Sequence, residues 1–362
     1  MVFIDGLKPE SIKYMPFLDS LPTKRRIRTE FGYSPTCYAS MFGGVYPNKH
    51  HVWFSWKYSP DTSPYRWLKK YKMDSLPHNL FTKYACFRLA DFMSHGLLPW
   101  QGPMPLQWWY VPVSSWHYFD LTTKRAWFEL DYLENYPTVF GILTNHGIQY
   151  ELVGIEKAKP EKLWQSIEQY DFSEIKPWTL FFIGDIDLLS HYHKQNSDIV
   201  IERLAEIDRV LREKCELLES KAGDFDFVMF SDHGHVEIND YLDVKSIFKS
   251  YGESLDDFIY FIDANFVRFI FRNEDEERRV RDILSHLESV GFILTETHLR
   301  KYHLDMPDNR YGNLIFYVEA PHHVTAGLKI GWKKLRSPFV SAHGYSPDNP
   351  DSDGVFISST QA

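Results

Sequence analysis

The sequence predicts an α/β fold, a three-layer α/β/α sandwich around a mostly parallel sheet. It also predicts an aromatic-rich cap insertion and a small α+β insertion. Three observations lead there. Four short, unbroken apolar runs each end in Asp or His, as buried parallel strands do when a site lies beyond their carboxyl ends. Long amphipathic segments lie between the runs and suit helices packed on a sheet. The tryptophans are crowded, with eight of eleven between Trp53 and Trp127, which marks that stretch as something other than an ordinary α/β layer.

The elements follow in order. Val2-Phe3-Ile4 runs into Asp5-Gly6. Ser34-Pro35 then opens a short helix that Gly43-Gly44 closes, with Ser34 at the N-cap and Pro35 in the first helical position. A helix start offers N–H groups and a positive dipole end to a phosphate, and a hydroxyl there becomes a nucleophile when a divalent metal lowers its pKa.

The first insertion, residues 56–134 (Trp56 to Glu134), holds Trp108-Trp109-Tyr110 and Trp116-His117-Tyr118-Phe119 among turns at Pro99, Pro103, Pro105 and Pro112. It suits a cap that stacks on a sugar, base or lipid head group, and equally a small satellite core. Leu180-Phe181-Phe182-Ile183 then leads into Gly184-Asp185-Ile186-Asp187, and Asp198 to Ser220 reads as a long amphipathic helix. Phe227–Phe230 leads into Ser231-Asp232-His233-Gly234.

The second insertion, residues 242–335 (Leu242 to Leu335), reads β-α-β-β through Phe266–Phe271, Asp275–Val290, Phe292–Thr297 and Asn313–Val318. Phe339-Val340 leads into Ser341-Ala342-His343-Gly344, and Gly354–Ile357 supplies a last strand. The whole, residues 1–362, reads as one catalytic domain with two insertions. Any one Asp or Gly after a strand is an ordinary turn former, so it is the convergence of four that points to a site.

Composition narrows the classes. A net charge of −9 argues against a broad nucleic-acid surface, so no nucleic-acid polymer is expected as a partner. Three dispersed cysteines with no CxxC suggest reduced thiols. With no basic, apolar leader and no membrane-length apolar stretch, a cytoplasmic enzyme is the default expectation.

The ordered set formed by Asp5-Gly6, Ser34 through Gly44-Val45-Tyr46-Pro47, Asp187 with His191, Ser231-Asp232-His233-Gly234 and Ala342-His343-Gly344 resembles the alkaline phosphatase superfamily. Within it, the chain resembles the type I phosphodiesterase/nucleotide pyrophosphatase family. The resemblance implies two divalent metals, zinc or else manganese. One would be held by Asp187, His191 and His343, the other by Asp5, Asp232 and His233, with Ser34 as the metal-bound nucleophile. It selects Ser34 over Thr36 because the family's nucleophile lies ten residues before the Gly of a Gly-x-Tyr-Pro turn. It selects Asp187 over Asp185 by the spacing to His191, leaving Asp185 to orient a ligand.

Tyr38 stands where relatives often carry His, and Ser55 where nucleotide pyrophosphatases place an Asn that binds a phosphate oxygen. These two, with His193 and His235, are the candidate substrate contacts, although a partly exposed loop position is the plainer reading of both histidines. Positions 36 and 38, Thr and Tyr, depart from the Cys/Ser-x-Pro-x-Arg pattern of sulfatases.

The implied chemistry is in-line attack by Ser34 on phosphorus, a phosphoseryl intermediate and its hydrolysis, with metals about 4 Å apart. The expected substrate is a small phosphodiester or pyrophosphate. A phosphomonoesterase or phosphoalcohol transferase would use the same site. A noncatalytic binding protein that kept the fold would have had less reason to keep Ser34 and all six ligands.

Overall fold

The computed structural model describes all residues except 74–78, 94–107, 109, 156–159, 327–328, 331–332, 335–338 and 362. Trp109, Pro99, Pro103, Pro105 and Leu335, named above, lie outside the described residues. The chain forms two compact units. One comprises Met1–Met41, Val139–Glu237 and Phe339–Ala362, the other Phe42–Thr138 and Ile238–Pro338.

The first unit is built on a six-stranded mixed sheet. Its strands in chain order are β1 (Val2–Ile4), β2 (Thr23–Ile27), β3 (Tyr150–Val153), β4 (Trp178–Ile183), β5 (Val228–Phe230) and β6 (Gly354–Ser358). Their order across the sheet is β2-β6-β5-β1-β4-β3. β1 runs parallel to β4 and β5, and β3 parallel to β4, whereas β6 is antiparallel to both β5 and β2.

Unbroken apolar strands make sense because both sheet faces are covered. Val2, Ile4, Phe181, Ile183 and Met229 share a core with Leu204, Ile207 and Leu211 of the long helix Asp198–Ala222. Each such side chain fully withdrawn from water contributes about 1.5–3 kcal/mol. On the alternate face Phe3 meets Phe182 and Phe230 at ring centroid distances of 5.3 and 5.2 Å, and Tyr38 at 5.4 Å. Tyr38 belongs to the helix Ser34–Gly43, so helices lie on both faces. Within the helical layer, the buried Asp208 of the long helix ties down the short helix Pro16–Ser20: its carboxylate accepts from the backbone N–H groups of Phe17 and Leu18 at 2.9 and 3.0 Å.

One expected strand is not part of this sheet. Ser341–Ala342 pairs antiparallel with Val236–Glu237 as a two-residue ribbon, and Val340 N donates to His191 O at 2.8 Å. The position beside β5 is taken instead by β6, whose hydrogen bonds leave no ladder for the earlier run.

In the second unit, Ile259–Asp263, Phe266–Ile270, Leu314–Val318 and Gly291–Ile293 form an antiparallel sheet in that order, with the helix Glu274–Ser285 between the second and last in sequence. The strand at Ile259 was not anticipated from the sequence. Trp56, Trp67, Trp108 and Trp116 pack with Ile259, Phe261 and Ile270 in one core. The two excursions seen in the sequence thus share an interior, and these tryptophans fill it. Within that unit Arg268 is fully buried, ion-paired to Asp263, and donates to Trp56 O and Tyr311 O at 3.0 and 3.3 Å. Among the described residues no helix is long and apolar enough to cross a membrane.

Candidate active site

All of the predicted metal-ligating residues belong to the first unit, and Asp5, Asp187, His191, Asp232 and His233 lie beyond the carboxyl ends of its parallel strands. β1 delivers Asp5, β4 leads into the helix Asp185–Tyr192 carrying Asp187 and His191, and β5 leads into Asp232 and His233. His343 follows the Ser341–Ala342 ribbon. The tight turn after β1 depends on Gly6, at φ +71°. A Cβ there would lie 2.9 Å from Asp187 Cα and 3.0 Å from His235 Nε2.

Two donor clusters result. In the first, His233 Nε2 lies 3.2 Å from Asp232 Oδ2, 3.5 Å from Asp5 Oδ1 and 3.2 Å from Ser34 Oγ. In the second, Asp187 Oδ1 lies 3.0 Å from His235 Nε2, 3.4 Å from His343 Nε2 and 3.7 Å from His191 Nε2. Tetrahedral coordination with bonds of about 2.0–2.2 Å spaces its donors by about 3.3–3.6 Å, and the distances in both clusters lie close to that spacing. Three groups of residues bring ligand atoms within 4.8 Å of one another: Asp5/Asp232/His233, Asp187/His191/His235 and Asp187/His233/His343.

The ring orientations are set from behind. His233 Nδ1 lies 3.1 Å from Gly234 O, and His191 Nδ1 3.2 Å from Ser341 O. A backbone carbonyl only accepts, so the proton sits on Nδ1 in each ring and Nε2 offers a lone pair to the cluster. Ser231 fixes the approach of Asp232: its hydroxyl donates to Leu7 O at 2.6 Å and accepts from Val355 N at 2.8 Å.

Burial and crowding disturb the titrations. Burial pushes Asp232 up to about 7. Burial, then the charges of Asp232 and Asp187, hold Asp5 well above the usual carboxylate range. Burial acts to raise Asp187 as well, but His343, His235 and His191 outweigh it and hold it well below. Burial also lowers His235 to about 4, and lowers His343 well below the ordinary imidazole value with help from His233. Three crowded carboxylates facing imidazole lone pairs form an arrangement that cations stabilise. The fit is specific, because Asp5 Oδ1 and Asp232 Oδ2 are buried with no hydrogen-bond partner among the described residues, and both face His233 Nε2. Carboxylate with imidazole suits zinc, and also manganese.

Ser34 is half-buried at the start of its helix. Pro35 lacks an N–H, and the N–H groups of Thr36 and Cys37 both donate to Tyr33 O, at 2.8 and 3.3 Å. That helix start therefore offers its dipole rather than the free amides expected for a phosphate. Tyr38 donates to Asp5 Oδ2 at 2.5 Å, which makes it a partner of a carboxylate in the cluster.

His235 corrects the loop reading. It is 2% exposed, held beside Asp187, and its burial follows from the ribbon that Val236 forms with Ala342. His193 caps the end of its helix, its backbone N–H donating to Leu189 O, and joins none of the three ligand groups. Asp185 faces neither cluster and pairs with Arg203 of the long helix. Ser55 lies in the second unit, where its carbonyl accepts from Thr122 N at 2.9 Å. Ser341 escaped the sequence reading: its carbonyl holds His191 and its hydroxyl donates to Ser190 O, and only its place two residues before His343 hinted at this.

Comparisons with known proteins bear on the family and the fold. The model of the type I phosphodiesterase/nucleotide pyrophosphatase family matches residues 1–346. No curated protein matches the sequence. Among solved structures, human ectonucleotide pyrophosphatase/phosphodiesterase 5 superposes with a TM-score of 0.66 at 10% identity, covering 99% of this chain and 87% of that one. An inactive form of the murine enzyme in complex with AMP gives a TM-score of 0.65 at 9% identity, covering 99% and 87%. These likenesses bear on the fold. The family match, over nearly the whole length, bears on the chemistry: the chain belongs to the type I phosphodiesterase/nucleotide pyrophosphatase family of the alkaline phosphatase superfamily and is a phosphoester hydrolase.

Proposed function

We propose that the protein is a two-metal phosphodiesterase or pyrophosphatase in which Ser34 is the nucleophile. The observation that carries this reading is the place of Ser34 Oγ, 3.2 Å from His233 Nε2 at the spacing of a fourth donor beside Asp5 and Asp232. Asp5, Asp232 and His233 would hold one cation, and Asp187, His191 and His343 the other, with zinc favoured. When bound, divalent metals supply charge neutralisation for phosphoryl oxygens and a lowered pKa for a neighbouring hydroxyl.

The chain's own residues do the rest. Ser34 Oγ gives up its proton and attacks phosphorus in line, the P–O bond to the leaving alcohol or phosphate breaks, and the leaving oxygen takes up a proton. Ser34 is left esterified to the phosphoryl group, which still carries the substrate's other substituent. Water then cleaves the Oγ–P bond, releasing the phosphomonoester and restoring the hydroxyl. The helix dipole behind Ser34 favours the anionic substrate. AMP in the murine neighbour makes nucleotide diesters and pyrophosphates the first substrates to test.

The test compares wild type with Ser34→Ala on bis-p-nitrophenyl phosphate and p-nitrophenyl phosphate, with zinc or manganese added. We expect faster turnover of the diester, and a loss of roughly 10³-fold or more in the variant. Activity surviving in Ser34→Ala would overturn the assignment. A preference for the monoester would move the protein to a phosphomonoesterase or transferase role.

A further inference from the structure

We infer that His235 is a metal ligand, joining Asp187 and His191 around one cation. The inference rests on the two-metal reading above and goes beyond its ligand set, in which this histidine has no part.

The geometry comes first. His235 Nε2 is the imidazole nitrogen nearest to Asp187 Oδ1, at 3.0 Å against 3.4 Å for His343 and 3.7 Å for His191. The rings of His191 and His235 meet edge-on with centroids 4.9 Å apart, and their ligand atoms close a compact triangle with Asp187. His343 also falls within a group with Asp187 and His233, which places it between the two clusters.

Proton bookkeeping then separates ligation from a plain hydrogen bond. Ser341 has one hydroxyl proton, and it donates to Ser190 O. The 3.4 Å contact between Ser341 Oγ and His235 Nδ1 therefore draws its proton from the ring. With Nδ1 protonated, the neutral imidazole turns the Nε2 lone pair toward a carboxylate oxygen. Two acceptors at 3.0 Å repel unless a cation lies against both. His191 and His233 show the same device, Nδ1 held from behind and Nε2 facing inward, so His235 repeats the pattern of residues already assigned as ligands.

The consequence is an unequal pair of sites. Asp187 with two or three imidazoles favours zinc-type ions, whereas Asp5 and Asp232 with one imidazole accept manganese more readily.

The test titrates cobalt(II) into the metal-stripped protein and follows its visible absorption, for wild type, His235→Gln and Ser341→Ala. Glutamine keeps an N–H that can donate to Asp187 but does not replace an imidazole ligand. We expect two equivalents in wild type, one of them weakened 10- to 100-fold in His235→Gln with loss of its four-coordinate absorption. Ser341→Ala, which leaves the ring in place, should weaken the same equivalent by less. Wild-type affinity in His235→Gln would overturn the inference and reduce His235 to a hydrogen-bond donor, leaving the two-metal reading intact. Failure of wild type itself to bind cobalt would overturn both. Should His235→Gln fail to fold, an unaltered spectrum in Ser341→Ala would overturn the inference alone.

Discussion

Tyr38 donates a 2.5 Å hydrogen bond to Oδ2 of Asp5, leaving Oδ1 of the same carboxylate turned toward His233. The phenol thus decides which oxygen of Asp5 would be presented to a cation, from one turn beyond the proposed nucleophile Ser34 on the same helix. The ring also packs edge-on against Phe3.

Tyr38→Phe should therefore keep the packing and lose the orientation. We expect metal affinity of the carboxylate-rich site to fall about 10- to 100-fold, with Tm of the metal-free protein little changed. Zinc titration and thermal melting check the two halves.

The pH response of the metal-free protein follows from the carboxyls. Asp5 and Asp232 bind protons more tightly in the fold than in the unfolded chain, so their contribution is full at low pH. It is lost as pH rises through about 7, the value for Asp232. His235, pushed down to about 4, acts in the opposite sense between there and its ordinary 6.5, so the carboxyl effect emerges most clearly toward neutral pH. Chelator-treated protein should lose Tm between pH 6.5 and 8. Zinc should restore more at pH 8 than at pH 6, because at the lower value protons compete for the same oxygens.

Gly6→Ala places a methyl against Asp187 Cα and His235 Nε2 in a left-handed backbone conformation. A cost of about 1–3 kcal/mol in urea unfolding is expected, with reduced metal uptake as the turn shifts.

In the second unit, Asp263→Ala leaves the fully buried Arg268 without its counter-charge. This should destabilise that unit by about 3–5 kcal/mol. Removing both charges, as Asp263→Leu with Arg268→Met, should cost less than the single change, and chemical denaturation of the pair decides it.

Much of the first unit was legible in sequence because its strands are buried on both faces. Val2–Ile4 and Val228–Phe230 read as unbroken apolar runs, and each hands over a candidate ligand at its carboxyl end. Phe339–Val340 misled because a short apolar run carries no record of its ladder partners; pairing begins only at Ser341–Ala342, against Val236 and Glu237. His235 was undervalued for a related reason. Its burial comes from that same long-range ribbon, while locally it follows Gly234 like any loop residue. The tryptophan cluster signalled an unusual segment. That it would share a core with Phe261 and Ile270 required pairing across more than a hundred residues, which periodicity does not encode.

The carboxylates and imidazoles proposed as ligands come from four stretches of chain with long segments between them, and only Asp187/His191 and Asp232/His233/His235 are local neighbours. An extended polypeptide consequently offers a cation two weak, partial chelates and no complete one. Ions would be captured late, by a sheet already assembled, so they would act as a latch rather than a seed. Chelators should accordingly hasten the loss of the native state while leaving the early steps of refolding at their usual speed.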